Sequence, residues 1–491
     1  MIYERLRIRQ LHILLAVLLI CIPVFVASCN IDIDKGLEST DDTSVLIETV
    51  IPESTTGAEL LQEAKPEPAP EPAPEPEPVP EPEPEHEREP VPEPEPEPAP
   101  TVNKARLAVV GDLMAHDPQI KQAYNRDDGT YSFTSSFGQI KPYLEDADYT
   151  IGNLETTLAG RNPPPIVRYT EWARFNAPDE FAAALKEAGF DFVSTANNHT
   201  NDMLEYGILR TLETLDLIGL EHAGTYASKE EQDKVFIKDI NNIKFALLAY
   251  SASTNAVPLP GGKSYLVNII NENRMRNKIE QARSEGAEVI IVLAHTGVEY
   301  SGTPTERHVA LARNLCRYGA DAVFLSHPHV LQPTEIFEVE DENGALRTCF
   351  IAFSMGNFIA GRDSRPSDAG AIIYLDYEKV EGEHGNVTRL KHVSFAPTWV
   401  RFKNKSDDID VKVLPVSETI MAIAANEEVD IRERDIKRLH EVYRHTTGKL
   451  LGEVPDEILP ILTLYRLNAA DHLPSETLNP PANEYVQTFM S

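Results

Sequence analysis

AEVIIVLAHTGVEY, residues 287–300, carries six apolar residues in a row from Val289 to Ala294 and runs straight into His295. A strand with one wet face alternates apolar and polar residues, whereas a strand covered on both faces need not. The stretch therefore predicts an interior strand of a layered sheet, with polar chemistry confined to the point where the strand stops. Working outward, RLAVVGD, DYTIGN, FDFVSTA, KVFIKDI, IKFALLAY, DAVFLSH and LRTCFIAFS read as further strands. Between them lie APDEFAAALKEAG, LEYGILRTLETLDLIG, ENRMRNKIEQARSEG and TPTERHVALARNLCRYG. Each has apolar residues at i, i+3 and i+4 and ends near a glycine, the expected helix stop. The alternation defines an α/β or α+β layered domain over residues 105–415, its later part antiparallel around AGAIIYLDYEKV and Val393–Phe402. From Val416 the pattern turns helical, which predicts a helical C-terminal appendage and a proline-bearing tail over residues 416–491.

The strands end in residues suited to metal or phosphate chemistry. RLAVVGD stops at Asp112, DYTIGNLE at Asn153 and Glu155, and FDFVSTANNHTND at Asn197, Asn198, His199 and Asp202. The opening stretch supplies His295 and Glu299, FLSHPHVLQ (residues 324–332) supplies His327 and His329, and FIAFSMGNF supplies Ser354 and Asn357. In layered α/β folds, ligands bind outside the carboxyl ends of the strands. Two histidines at i and i+2 of an extended segment point to one side, where neutral imidazoles can share a divalent ion. Taken singly, Asp112 also reads as a helix cap, Asn198 as a turn residue and His295 as a hydrogen-bonded core histidine; in series they outline one site. Carboxylate and amide oxygens with imidazoles suit Mn, Fe, Zn or Mg, and the lack of thiolates argues against a closed structural zinc site.

The first hundred residues are of another kind. Arg5, Arg7 and Arg9 precede an apolar run from Leu11 to Val26, followed by Ala27-Ser28-Cys29. This is the build of a secretory signal with a lipobox over residues 1–29, predicting cleavage before Cys29 and lipidation of its thiol. An uncleaved anchor is the alternative, although the run falls short of the ~20 residues that span a bilayer. Residues 30–104 are acidic, with a nearly strict Glu-Pro alternation from Pro66 to Pro100. Proline at that density disfavours helix and sheet and favours an extended spacer, able to reach roughly 100 Å at ~3.1 Å per residue. About half of the formal charge of −33 falls in residues 31–100, so net charge describes the tether more than the domain. No basic stripe appears, which disfavours nucleic acid as a partner. Beyond the signal stand Cys316 and Cys349, read as buried thiols, with a pairing between them left open.

The order GD…NLE…NNH..D…H.G.EY…SHPH…S.GNF, running between Ala105 and Phe402, resembles the CapA family of capsule-synthesis proteins, also called the poly-γ-glutamate synthesis (PgsA-like) family. That family is related to the calcineurin-like metallophosphoesterases. The resemblance implies a four-layer sandwich of two sheets covered by helices. It implies metal ligation by Asp112, Asn198, His295, His327 and His329, with Ser326 standing for a glycine, and a proton-donating role for His199 near the leaving group. Two departures follow. Met114 occupies the place of an imidazole, and Asn153 that of a bridging aspartate, with Glu155 two residues on. Because a thioether is a poor ligand for hard ions, one divalent metal per chain is expected, with Asp112, Glu155 and His199 as the catalytic set. The implied function is synthesis, export or anchoring of a capsular polymer such as poly-γ-glutamate. The alternatives are a hydrolase of phosphoesters or wall polymers and a non-catalytic subunit of an export assembly. Expected partners are a capsular or cell-wall polymer, the membrane through the lipid, and polymer synthetase or export subunits. A polyanion should avoid an acidic protein unless it meets the metal or a local patch such as Arg161, Arg168 and Arg174.

Overall fold

The computed structural model describes residues 101–467, apart from 163–167, 341–345, 362–364, 383–384 and 406–407. The expected signal, Cys29 and the Glu-Pro run lie outside the described residues. The first sheet begins with β1 (Thr101–Leu113), β2 (Tyr149–Leu154), β3 (Phe192–Ser194) and β4 (Glu221–Ala223), each parallel to the one before. The chain then builds a second sheet from β5 (Ile237–Ile240), β6 (Ile243–Ser251), β7 (Val289–His295), β8 (Ala322–Ser326), β9 (Thr334–Glu340) and β10 (Leu346–Ala352). Its order is β5-β6-β7-β8-β10-β9, with a parallel centre and antiparallel edges. The remaining strands return to the first sheet. They are β11 (Asn357–Ile359), β12 (Ala369–Gly382), β13 (Gly385–Lys405), β14 (Asp408–Pro415) and β15 (Leu462–Arg466). That sheet runs β14-β13-β12-β1-β2-β3-β4, with β11 beside β1 and β15 beside β13.

Strand periodicity sorts the core into layers. Leu107 and Val109 of β1 face the space between the sheets, together with Phe245 and Leu247 of β6 and Ile291 and Leu293 of β7. Their neighbours Ala108 and Val110 turn outward under the helix α1 (Asp179–Glu187), whose Phe181 and Leu185 join the same layer. On the other side, Ile290 and Val292 meet Met275 and Ile279 of α2 (Glu272–Ser284) and Leu311 and Leu315 of α3 (Glu306–Arg317). Helix, sheet, sheet, helix is the four-layer arrangement expected, and VIIVLA proves to be a strand buried on both faces. Among the described residues no helix is long and apolar enough to cross a membrane.

Two expectations change. Residues 416–467 do form the helices α4 (Val416–Ala424) and α5 (Glu433–Leu451), but they also contain β15, which pairs with His392–Phe395 of β13. Val416, Ile420, Leu439 and Val442 share the inter-sheet core, so this segment is packed into the domain rather than hung upon it. Cys316 and Cys349 are not free thiols but a disulfide. The end of α3 passes over β10 and sets their Cα atoms 5.8 Å apart, within bridging range.

Candidate metal centre

The carboxyl ends of the two parallel strand groups converge, and register decides what meets there. Asp112 is level with Asn153 of β2 on one side and Asn357 of β11 on the other. His295 is level with Ser326 of β8. The approach of β1 to the loop before β11 requires glycine, because a Cβ on Gly111 would lie 1.8 Å from the carbonyl oxygen of Gly356. That closeness lets the Asp112 amide donate to the same carbonyl.

Asp112 is wholly buried. One of its oxygens accepts from the Asn153 amide at 2.8 Å and the other lies 3.1 Å from His329 Nδ1, which is also 3.0 Å from Asn357 Oδ1. His295 Nε2 lies 2.8 Å from Asn198 Oδ1, while its Nδ1 faces Ser326 Oγ at 2.9 Å and Asn153 Nδ2 at 3.1 Å. All five residues expected as ligands are therefore brought together. Asp112, Asn198 and His329 are linked to one another or to His295 by hydrogen bonds, and His327 stacks edge-on against His295 at 4.9 Å between ring centroids. The geometry of the histidine pair differs from expectation. β8 ends at Ser326, so the two rings converge through a turn and not along a strand, with φ of +101° at His327 and +58° at His329. Such backbone is disfavoured for residues with a Cβ and persists where surroundings impose it.

Glu155 lies between these groups, fully buried, and neither of its carboxylate oxygens has a hydrogen-bond partner among the described residues. One oxygen is 3.5 Å from His295 Nε2 and 3.9 Å from His329 Nε2. Nδ1 of His327 is likewise buried without a partner. Two overlapping trios, Asp112-Glu155-His295 and Glu155-His327-His329, each place their ligand atoms within 4.8 Å of one another. Orphaned buried acceptors cost stability unless something satisfies them, and a hard divalent cation would satisfy this donor set. The residues present fit such an ion. Glu155, expected as a proton carrier, is also positioned as a ligand. Asn153 has taken up a different task, clamping Asp112 to His295.

Charge is strongly coupled to burial here. Burial, reinforced by the charge of Asp112, pushes the Glu155 carboxyl well above the usual carboxylate range. Burial raises Asp112 too, but the hydrogen bond and charge of His329 outweigh it and hold Asp112 below its ordinary value. Burial and then His327 push His295 well down, and burial and then His329 lower His327, so both are neutral near pH 7. Burial opposes a charge on His329, yet Glu155 and Asp112 overcome it and push His329 up to about 10. Neutral imidazoles stand ready to ligate; His329 must first lose its proton.

Above the cluster opens a cavity of about 610 Å³ whose wall includes Asn198, His199, His329 and Asn357. His199 Nδ1 lies 2.7 Å from Asp202 Oδ2, and Asp202 is held in turn by the Phe175 amide at 2.6 Å. This fixes the ring with Nδ1 occupied. Of the three arginines expected as a patch, Arg174 lines the cavity and Arg161 and Arg168 do not. Met114 is there as expected, but so is His116, which the sequence reading passed over. His116 is buried and its Nδ1 accepts from the Gly361 amide at 3.0 Å. Its signal was present in GDLMAHD, four residues beyond Asp112.

Two layered sheets that deliver buried carboxylates, amides and imidazoles to one cavity define an α/β protein with a candidate divalent-metal centre at its strand ends. The chain belongs to the family described as Bacterial capsule synthesis protein PGA_cap, whose profile matches residues 106–362. It is 26% identical over 277 residues to the Capsule biosynthesis protein CapA of Bacillus anthracis, covering 55% of this chain and 64% of that protein. It is 27% identical over 259 residues to the PGA biosynthesis protein CapA of Bacillus subtilis (strain 168), covering 49% and 60% respectively. The chain thus spans less than two thirds of the length of either relative. Among solved structures it bears a loose likeness to the calcineurin-like phosphoesterase YfkN of Bacillus subtilis, with 14% identity over 70% of this chain and 98% of that one, at a TM-score of 0.35. A similar likeness holds to the NAD nucleotidase NadN of Haemophilus influenzae, with 11% identity over 73% and 65% of the two chains, at a TM-score of 0.38.

Proposed function

We propose that this protein acts outside the cytoplasm, lipid-anchored at Cys29 and spaced from the membrane by its Glu-Pro run. There it carries out a metal-dependent hydrolytic or transfer step on a capsular polymer such as poly-γ-glutamate during its synthesis, export or anchoring. Family membership supports the link to capsules, and the disulfide between Cys316 and Cys349 suits an oxidising compartment. The observation that carries the chemistry is Glu155, a buried carboxylate with two unpartnered oxygens among three imidazoles and Asp112.

Asp112, Glu155, Asn198, His295, His327 and His329 would hold a divalent ion, Mn, Zn, Fe or Mg by donor type. When bound, the ion supplies Lewis acidity toward a phosphoryl or acyl oxygen. The rest falls to the chain itself. Asp202 holds His199 by Nδ1, leaving Nε2 to give a proton to a departing group in the cavity. Asn153 keeps Asp112 and His295 in mutual orientation. The buried floor keeps bulk water from the carboxylates. One ion per chain is the expected content, since Met114 offers a thioether where a second site needs a hard donor.

Elemental analysis after Mn²⁺ or Zn²⁺ loading tests this, beside assays of γ-linked glutamate chains and a small phosphodiester. The wild type should hold about one ion per chain. His295→Ala and His327→Ala should lose it together with turnover, and Met114→His should raise occupancy toward two. A wild type that stays metal-free would overturn the reading.

A further inference from the structure

We propose that a cleft between β13 and α5 binds a carboxylate-rich polymer chain and leads it to the metal cavity. The polymer's identity rests on the capsular reading above; the cleft itself does not. It has a volume of about 300 Å³ and is lined by Arg365, Lys403, Arg432, Arg434 and Arg438 against two carboxylates, Asp368 and Asp435. The chain beyond residue 100 is itself net acidic, so five cations on one concave surface run against the local balance.

The depth at which each charge sits decides the sign of the cleft. The Asp368 side chain is 4% exposed and forms the floor, where it accepts from Arg438 Nε at 2.9 Å and Trp399 Nε1 at 3.1 Å. Asp435, 11% exposed, is engaged by Arg432 Nη2 at 3.0 Å. Glu441, one turn along α5, is paired with Arg365 at 3.3 Å and Arg438 at 3.2 Å. The carboxylates thus lie low and hold guanidinium groups in place, whereas Arg365 and Arg434 are 60% and 61% exposed at the rim. Nη1 of Arg432 is buried and has no partner among the described residues. A concave surface of this kind focuses positive potential, and planar guanidinium groups match carboxylates two bonds at a time.

Position ties the cleft to the cavity. Arg365 and Asp368 line the cleft, while Ser367 between them lines the metal cavity. The Ser367 carbonyl accepts from Asn357 Nδ2 at 3.0 Å, and Asn357 Oδ1 lies 3.0 Å from His329. One loop therefore walls both spaces. All the cleft's residues lie beyond the family match, which ends at 362. A nucleic acid is a poorer fit, since binding of bases uses exposed aromatic platforms and the Trp399 ring is buried.

The test uses the metal-loaded chain and fluorescent γ-linked glutamate oligomers at several salt concentrations. The wild type should bind with a clear salt dependence. The Arg365→Glu/Arg434→Glu double variant, altered at two exposed positions, should bind roughly tenfold or more weakly with a salt slope lower by about two charges. Its metal content and its rate on the small phosphodiester should not change. Arg365→Lys/Arg434→Lys should restore most of the binding. Equal binding by the charge-reversed variant would overturn the proposal, as would wild-type affinity for single-stranded DNA or polyphosphate equal to that for the glutamate oligomers. If binding depends on the two arginines but no polymer is ever cleaved, the hydrolytic reading falls and the cleft stands.

Discussion

Glu155 is expensive to keep. Buried without hydrogen-bond partners among the described residues and beside Asp112, it destabilises the metal-free fold by the cost of an unsatisfied buried group, about 1–3 kcal/mol. Glu155→Leu, of similar size, should therefore raise stability by about that amount in chelator and abolish the stabilisation that Mn²⁺ confers on the wild type. Denaturant midpoints with and without metal measure both; a variant less stable than wild type in chelator would show that the attraction between Glu155 and His329 outweighs the cost of burying the carboxyl. His329 sets the pH dependence. Its folded pKa is raised to about 10, so the stability from its charge is complete below the unfolded value near 6.5 and is lost as pH rises through 10. Between those limits a ligating metal must displace the proton, so metal affinity should rise roughly tenfold per pH unit. At pH 8, calorimetry in buffers of different ionisation enthalpy should find at least one proton released; none released would remove His329 from the ligand set. At this scale the sequence was legible in residue type and order, and five expected ligands do meet. It was not legible in the exchange between Asn153 and Glu155, because which of two nearby polar side chains reaches the centre depends on strand register and depth.

Elements follow the strength of their periodic signal. VIIVLA and the four amphipathic helices were legible because long apolar runs and 3.6-residue spacing survive tertiary context. The strand β3 falls within FDFVSTA as expected, whereas the three-residue strands β4 and β11 are too short to show a period, and β15 is set by pairing with β13, which lies some distance back in the chain. The disulfide escaped for a related reason. Cys316 is on a helix and Cys349 on a strand, and nothing local says that one crosses the other. The bridge closes a loop of 33 residues, for which chain entropy gives about 3–4 kcal/mol. Reduction, or Cys316→Ser with Cys349→Ser, should lower unfolding stability by that order. A midpoint unmoved by reductant would show that the helix over β10 is held by packing alone through Leu311 and Leu315.

For the whole molecule, two kinds of chain share one sequence: an acidic, proline-rich leader section and a layered domain whose chemistry gathers at one end of its strands. The expected signal and lipobox predict that Cys29→Ala leaves precursor uncleaved at this site and unlabelled by fatty acid. A lipid label that persists in the variant would move the anchor elsewhere. The strand order of the first sheet also bears on how the protein comes into being. β1 pairs along its length with β12, Thr101 opposite Glu381 and Val110 opposite Ile372, and β13 receives β15 from near residue 466. The first described strand must therefore wait for almost the last before its sheet can close. Folding dominated by such distant pairing is slow, because loop closure is paid before the contacts reward it. A chain that cannot finish this sheet until the residues near 466 have been made stays open for as long as its own synthesis lasts.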